Sequence, residues 1–298
     1  MIWAASLGMT CYNPPGSDRP ARADPQTRGD QAPDKKKSMT VSQGSESSLE
    51  PKQHRHLVQF YDGDLRPLAR NVSRYVAEGL AQGHAAIVIA VPEHAAAFVA
   101  QLATAGIDSA AELRHGRLVV LDAQETLAQF MVDGLPDAAR FDQTVGAMVR
   151  ELHVAHPGLR TYGEMVGVLW ETGYFTAAIR LEELWNALLS ARDFELFCAY
   201  PIDVLSDDFQ TAEVDAVMCA HTNVVASTSA LERALDRAIG DVLGTNAAAL
   251  QTLMTSHYWP AWATLPRAEA MILWLRSNAP NHADAILARA REYSHLAA

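Results

Sequence analysis

The chain has 298 residues, 49% of them hydrophobic, with a formal net charge of −11 at pH 7 and three cysteines. That length suits one large domain or two ordinary ones, and the acidity excludes a nucleic-acid binder, which needs Lys and Arg gathered into basic patches. Cys11, Cys198 and Cys219 show neither C-x-x-C spacing nor an even number, so they suggest neither a zinc knuckle nor a disulfide scaffold, and a reducing cytoplasm fits best.

Residues 1–53 read as a disordered tail, because Pro, Ser, Asp, Gln and Lys dominate and little apolar surface offsets the entropy of ordering. The opening MIWAASLGM is too short for a signal peptide and lacks a basic start, and Met39 offers an alternative start within the tail. Residues 1–55 carry eight Lys/Arg against six Asp/Glu, so the acidity belongs to the rest of the chain. No apolar run reaches the roughly 18 residues of a membrane-spanning helix.

From His56 onward, short apolar runs alternate with helical patterns. HLVQFY, AAIVIAV, RLVVLD, LRTYGE and FELFCAY read as strands. LARNVSRYVAEGL, HAAAFVAQLATAG, ETLAQFMVDGL and FTAAIRLEELWNALLSAR carry apolar residues three and four apart and read as helices. In TYGEMVGVLWETG the spacing predicts a strand up to Glu164 and then a short helix. This rhythm predicts an α/β fold over residues 54–225, a mostly parallel sheet with helices on both faces. Residues 226–298 carry helical patterns only, ALERALDRAIGDVL, NAAALQTLMTSHYW, PRAEAMILWLRSNA and HADAILARAREYSHL, and read as an all-helical C-terminal segment.

In such a sheet, ligands sit outside the C-terminal strand ends. Those ends carry Tyr61, Glu93, Asp122, Glu164 and Tyr200, which makes them candidate pocket residues, with Glu164 expected to face a cleft rather than a sealed core. On the helix FTAAIRLEELWNALLSAR, Glu182 falls at the margin of the apolar arc near Trp185. It either pairs with Arg160 or Arg180 or forms a pocket wall with Glu164 and Trp185. There is no GxxxxGK[ST] and no GxGxxG, and FYDGDLRPL follows the first strand instead, so nucleotide hydrolysis is not expected. No GxSxG or HExxH is present, the histidines read as solvated, and Cys198 reads as a small buried hydrophobe. Cys219 and His221, two apart in VMCAHTN, cannot share a helix face, and metal ligation there would need partners the sequence does not identify. No catalytic residue, metal set or cofactor is assigned.

HLVQFYD, EGLAQGHAAIVIAVPEH, GRLVVLDAQETLAQFMVDGLPD, RTYGEMVGVLWETG, AAIRLEELWNALL, FELFCAYP and MCAHTNVV together resemble the MEDS domain, the methanogen/methylotroph, DcmR sensory domain, from about His54 to His221. The resemblance implies a degenerate relative of the RecA/KaiC ATPase fold whose phosphate-binding loop is lost. It implies a sensor of small organic compounds, hydrocarbon derivatives included. Carried over residue by residue, it marks His56, Tyr61, Asp122, Gly163, Glu164, Glu182, Trp185, Cys198 and Tyr200. His84 stands in GLAQGH where the family has glutamate, a departure that bears on specificity.

The expectation is a non-catalytic cytoplasmic sensory protein that binds a small organic ligand. Its C-terminal helices would then relay occupancy to a protein partner or to a second copy. An enzyme or nucleotide binder with altered ATPase-like chemistry, and an interaction adaptor with a vestigial cleft, stand as alternatives.

Overall fold

A computed structural model describes residues 55–226, 229–250, 252 and 265–296. The tail expected over residues 1–53, and most of the helix expected at NAAALQTLMTSHYW, lie outside the described residues.

The alternation of apolar runs and helical patterns produces β1 (His56–Phe60), α1 (Leu65–Ala81), β2 (Ala85–Ala90), α2 (Pro92–Thr104), α3 (Ser109–Arg114), β3 (Leu118–Asp122) and α4 (Ala123–Ala128). A hairpin of β4 (Met131–Val132) and β5 (Leu135–Pro136) follows, then α5 (Ala138–Phe141), a π-helical turn at Asp142–Gly146 and α6 (Ala147–Ala155). Next come β6 (Leu159–Gly163), α7 (Met165–Glu171), α8 (Phe175–Ala191), β7 (Glu195–Tyr200), α9 (Ala212–Ala220) and β8 (Asn223–Val224). The C-terminal segment holds α10 (Ser229–Leu243), α11 (Arg267–Asn278) and α12 (Pro280–Leu296).

Six strands form one sheet in the order β3-β2-β6-β7-β1-β8, every pair parallel. Both faces are covered, which is why the strands read as unbroken apolar runs rather than alternating ones. Alternate residues divide between the two faces. Val58, Phe60, Ile87, Ile89, Leu196 and Cys198 pack with α7, α8 and α9, while Leu57, Ala86, Val88, Tyr162 and Phe197 pack with α1 and α2.

The helix expected over ETLAQFMVDGL stops after Ala128. Asp133 and Gly134 both take positive φ, 50° and 80°, which is the two-residue turn that joins short antiparallel strands, and Met131 pairs with Pro136 across it. Asp-Gly turn chemistry thus overrides the apolar spacing. The strand-to-helix switch in TYGEMVGVLWETG falls where the spacing put it, at Glu164.

Leu235, Ile239, Met271, Ile272 and Ile286 of the C-terminal helices belong to the same continuous apolar cluster as Ile202, Val204 and Phe209 below β7. Polar contacts reinforce this seam. Arg276 donates to Leu205 O at 3.0 Å and Asp207 Oδ1 at 2.9 Å, and Arg291 pairs with Asp203. Within the segment, Arg267 bridges Glu232 and Asp236 on α10 at 2.7 and 2.8 Å.

Two glycines give opposite expectations. A Cβ on Gly167 in α7 would meet Ala199 O at 2.7 Å, whereas one on Gly240 in α10 would meet nothing within 4 Å. Gly167→Ala should lower stability by about 1–3 kcal/mol through forced backbone separation. Gly240→Ala should raise it by up to about 1 kcal/mol through helix propensity. Denaturant melts of the two variants check both signs.

Candidate functional site

Three polar features lie against the sheet or at its strand ends. The first is built on Glu164, which follows β6 and is only 2% exposed. Its Oε2 accepts from Val91 N–H at 3.0 Å, its Oε1 is 2.5 Å from His94 Nδ1, and Tyr61 Oη reaches the same oxygen at 3.5 Å. Its own N–H donates to Ile89 O at 2.9 Å. The expectation that Glu164 faces an open cleft is therefore corrected. Its carboxylate is enclosed and clamps the β2–α2 turn to the end of β6, because a buried carboxylate needs donors and the Val91–His94 turn supplies them. The hydrogen bond to Glu164 holds His94 above its ordinary value of 6.5, outweighing the lowering effect of partial burial. Burial, then the Glu164 charge, pushes the Tyr61 hydroxyl well above its usual range.

The second feature lies beneath the sheet. His56 and Cys198 sit on neighbouring parallel strands, with Val58 opposite Cys198 and Phe60 opposite Tyr200, so all three polar side chains point to the α8 face. From α8, Glu182 rises into this group at 1% exposure. His221 follows α9 and is brought alongside β1 by Thr222, whose N–H donates to His56 O at 2.8 Å.

Glu182 Oε1 accepts from Tyr200 Oη at 2.7 Å, and its Oε2 lies 3.3 Å from His56 Nε2 and 3.8 Å from Cys198 Sγ. His221 Nε2 is 3.4 Å from Oε1, a charge contact without hydrogen-bond geometry, and His56 Nε2 is 3.5 Å from Cys198 Sγ. The expected arginine partners are elsewhere. Arg160 lies on the opposite face, donating to Tyr75 O, and Arg180 pairs with Glu183.

The outer nitrogens of both histidines are engaged. His56 Nδ1 donates to Asn186 Oδ1 at 2.9 Å, an amide oriented by its own donation to Ala220 O at 3.0 Å. His221 Nδ1 donates to Val217 O at 2.6 Å. Both inner Nε2 atoms therefore face Glu182. Burial, helped by the neighbouring His221, pushes His56 below its usual range. Burial alone would raise the Glu182 carboxyl, but the two imidazoles outweigh it and hold it well below the usual carboxylate range. Burial, then Glu182, pushes the Cys198 thiol up.

The third feature is a cleft of about 770 Å³ beside the end of β1. Arg66 and Arg70 of α1, Asp203 and Leu205 of the loop after β7, and Ala230 and Leu231 of α10 line it. Gln59 forms its floor, with Oε1 accepting from Asn71 Nδ2 at 3.0 Å and Nε2 left without a partner.

Of the remaining expected site residues, none joins these clusters. Asp122 caps α4, accepting from Glu125 N–H at 2.8 Å. Glu93 is exposed in the first turn of α2. Trp185 is core, edge-on to Phe141 at 5.2 Å and packed below Gly163. His84 precedes β2 beside Gly158, at the opposite end of the strands. His94 was missed because a histidine in a turn reads as solvated. His221 was left without partners because those partners come from three distant segments.

A family model described as MEDS, the MEthanogen/methylotroph, DcmR Sensory domain, matches residues 55–222, more than half of the chain. No curated protein matches. Among the described residues no helix is long and apolar enough to cross a membrane.

The Glu164–His94 contact carries a pH signature. Because the His94 pKa is raised, the pair's contribution is fully present below about 6.5 and is lost as pH rises through the folded-state value. An NMR titration should place the His94 midpoint above 6.5 in the wild type and return it towards that value in Glu164→Gln. That variant should also lose about 1–3 kcal/mol at mildly acidic pH by leaving the His94 and Val91 donors poorly matched.

Proposed function

Since the chain belongs to the MEDS sensory-domain family, we propose that it is a non-catalytic cytoplasmic sensory protein. It binds a small organic ligand, a hydrocarbon derivative, in the cleft beside β1 and relays occupancy through its C-terminal helices to a protein partner. One observation carries the reading: strand end, post-β7 loop and α10 all contribute to the same cleft. A ligand touching both walls has different contacts when the helices shift, and that differential affinity is what moves a conformational equilibrium. Leu205 and Leu231 give such a site an apolar wall, the buried Gln59 amide an orienting polar group, and Arg66, Arg70 and Asp203 charged partners for the polar end of the ligand.

The non-catalytic part of the reading rests on the β1–α1 connection, on a scaffold we take to descend from RecA/KaiC-type ATPases. Gly63 turns the chain with φ of 94°, and Asp64 then caps α1 by accepting from Arg66 N–H at 3.0 Å. A carboxylate thus occupies the helix N-terminus where a phosphate would be held, and no lysine follows Lys52 in the sequence.

Thermal-shift measurements on the full chain test this, because a binder of the folded state raises Tm by mass action. Short-chain alcohols, aldehydes, carboxylates and haloalkanes should include a stabilising compound, and Ala230→Phe, which puts a ring into the cleft, should abolish that shift. Stabilisation by ATP with Mg²⁺ together with phosphate release would instead establish altered ATPase chemistry. No response to either set would leave an adaptor.

A further inference from the structure

We propose that His56, Glu182, Cys198 and His221 form a buried binding site for a divalent transition metal of the zinc class, separate from the cleft. The four candidate donor atoms lie within 4.8 Å of one another, and all four residues are buried. Zinc bonds of ~2.0–2.3 Å to N, O and S set the donor–donor edges of a tetrahedron at roughly 3.3–3.8 Å. The contacts here are 3.3 Å from His56 Nε2 to Glu182 Oε2, 3.5 Å from His56 Nε2 to Cys198 Sγ and 3.8 Å from Cys198 Sγ to Glu182 Oε2. These three donors are thus already spaced for one ion between them, and His221 Nε2 lies within 4.8 Å of each, close enough to complete the set by a small shift.

The surroundings are those of a ligand set. Metal-bound histidine characteristically donates its outer N–H to a protein oxygen, which fixes the ring and leaves the inner nitrogen free to coordinate. His56 does so to Asn186 Oδ1 and His221 to Val217 O. Tyr200 holds Glu182 Oε1, leaving Oε2 for the metal. His221 Nε2 is buried and has no hydrogen-bond partner, which is a cost without a metal and a bond with one.

Charge balance points the same way. A divalent ion with one carboxylate, one thiolate and two neutral imidazoles is neutral overall, the state a water-free interior favours. Binding deprotonates Cys198 and releases any proton held between Glu182 and the imidazoles, so uptake is coupled to proton release. Two nitrogens, an oxygen and a sulfur suit zinc and cobalt rather than magnesium or calcium, which prefer all-oxygen shells. Four protein donors leave no open position, so the ion would tie β1, β7, α8 and the segment after α9 together rather than carry out chemistry.

Full-chain protein stripped with a chelator and titrated with Co²⁺ reads the site directly. The expected result is stoichiometric uptake with a thiolate-to-cobalt charge-transfer band and the intense visible bands of tetrahedral cobalt. Displacement by Zn²⁺ should remove both, and a higher Tm should accompany the metal. Cys198→Ser should lose the charge-transfer band while folded, as judged by circular dichroism, which assigns the band to this free thiol. If Cys198→Ser does not fold, Glu182→Gln serves, with an expected loss of affinity of tenfold or more. Absence of uptake by the wild type, or bands unchanged in a folded Cys198→Ser protein, would overturn the proposal. Ligand responses in the cleft read out separately, so failure here and failure of the sensory reading are distinguishable.

Discussion

A carboxylate taken out of water costs several kcal/mol unless donors or charges replace the lost hydration. Glu182 meets that demand from beneath the sheet, and the arrangement around it touches most of the family domain's architecture. Tyr200 reaches it from the end of β7, His56 from the start of β1, Cys198 from the middle of β7 and His221 from the turn into β8. Central strands, α8 and α9 are thus held in one register by a polar centre inside an otherwise apolar layer. Such a centre discriminates among packings more sharply than apolar contacts do, because a slip of one residue would send His56 and Cys198 to the opposite face.

Glu164 meets the same demand differently. It sits at the rim, where a backbone amide and a partly exposed histidine serve it, and the raised His94 makes that contact sensitive to pH. One carboxylate fixes the interior and the other fastens a turn. The cleft adjoins the rim group through Tyr61, which lines it and reaches Glu164. It opens on the neighbouring edge, where the family domain meets helices that lie beyond residue 222, the end of the matched segment. The continuous apolar cluster across that seam means that displacing α10 would expose core surface, so the described C-terminal helices are packed onto the domain rather than loosely appended.

Much of the fold was legible in the sequence. Strand positions at HLVQFY, AAIVIAV, LRTYGE and FELFCAY agree with the structure to within a residue, because a parallel sheet buried on both faces leaves unbroken apolar runs. The place of Glu182 at the edge of an apolar arc was also readable, though it is buried rather than half-buried, as was the absence of GxxxxGK[ST] and GxGxxG. Where spacing failed, at ETLAQFMVDGL, the local Asp-Gly turn won over apolar periodicity. His56 and Cys198 were marked only by family resemblance, since neither residue type nor spacing distinguishes a core histidine or thiol from a ligand.

The sequence by itself determined the alternation of strands and helices, the acidic character of the chain beyond residue 55, and which residues are too polar to be buried alone. Tertiary structure decided their partners: His94 for Glu164, and two histidines, a thiol and a tyrosine for Glu182. The reason is physical. Periodicity is a property of a few consecutive residues and fixes which face a side chain takes. A hydrogen bond or a ligand set joins residues such as His56 and His221, which only strand order and crossover connections bring together, and no local pattern encodes that meeting.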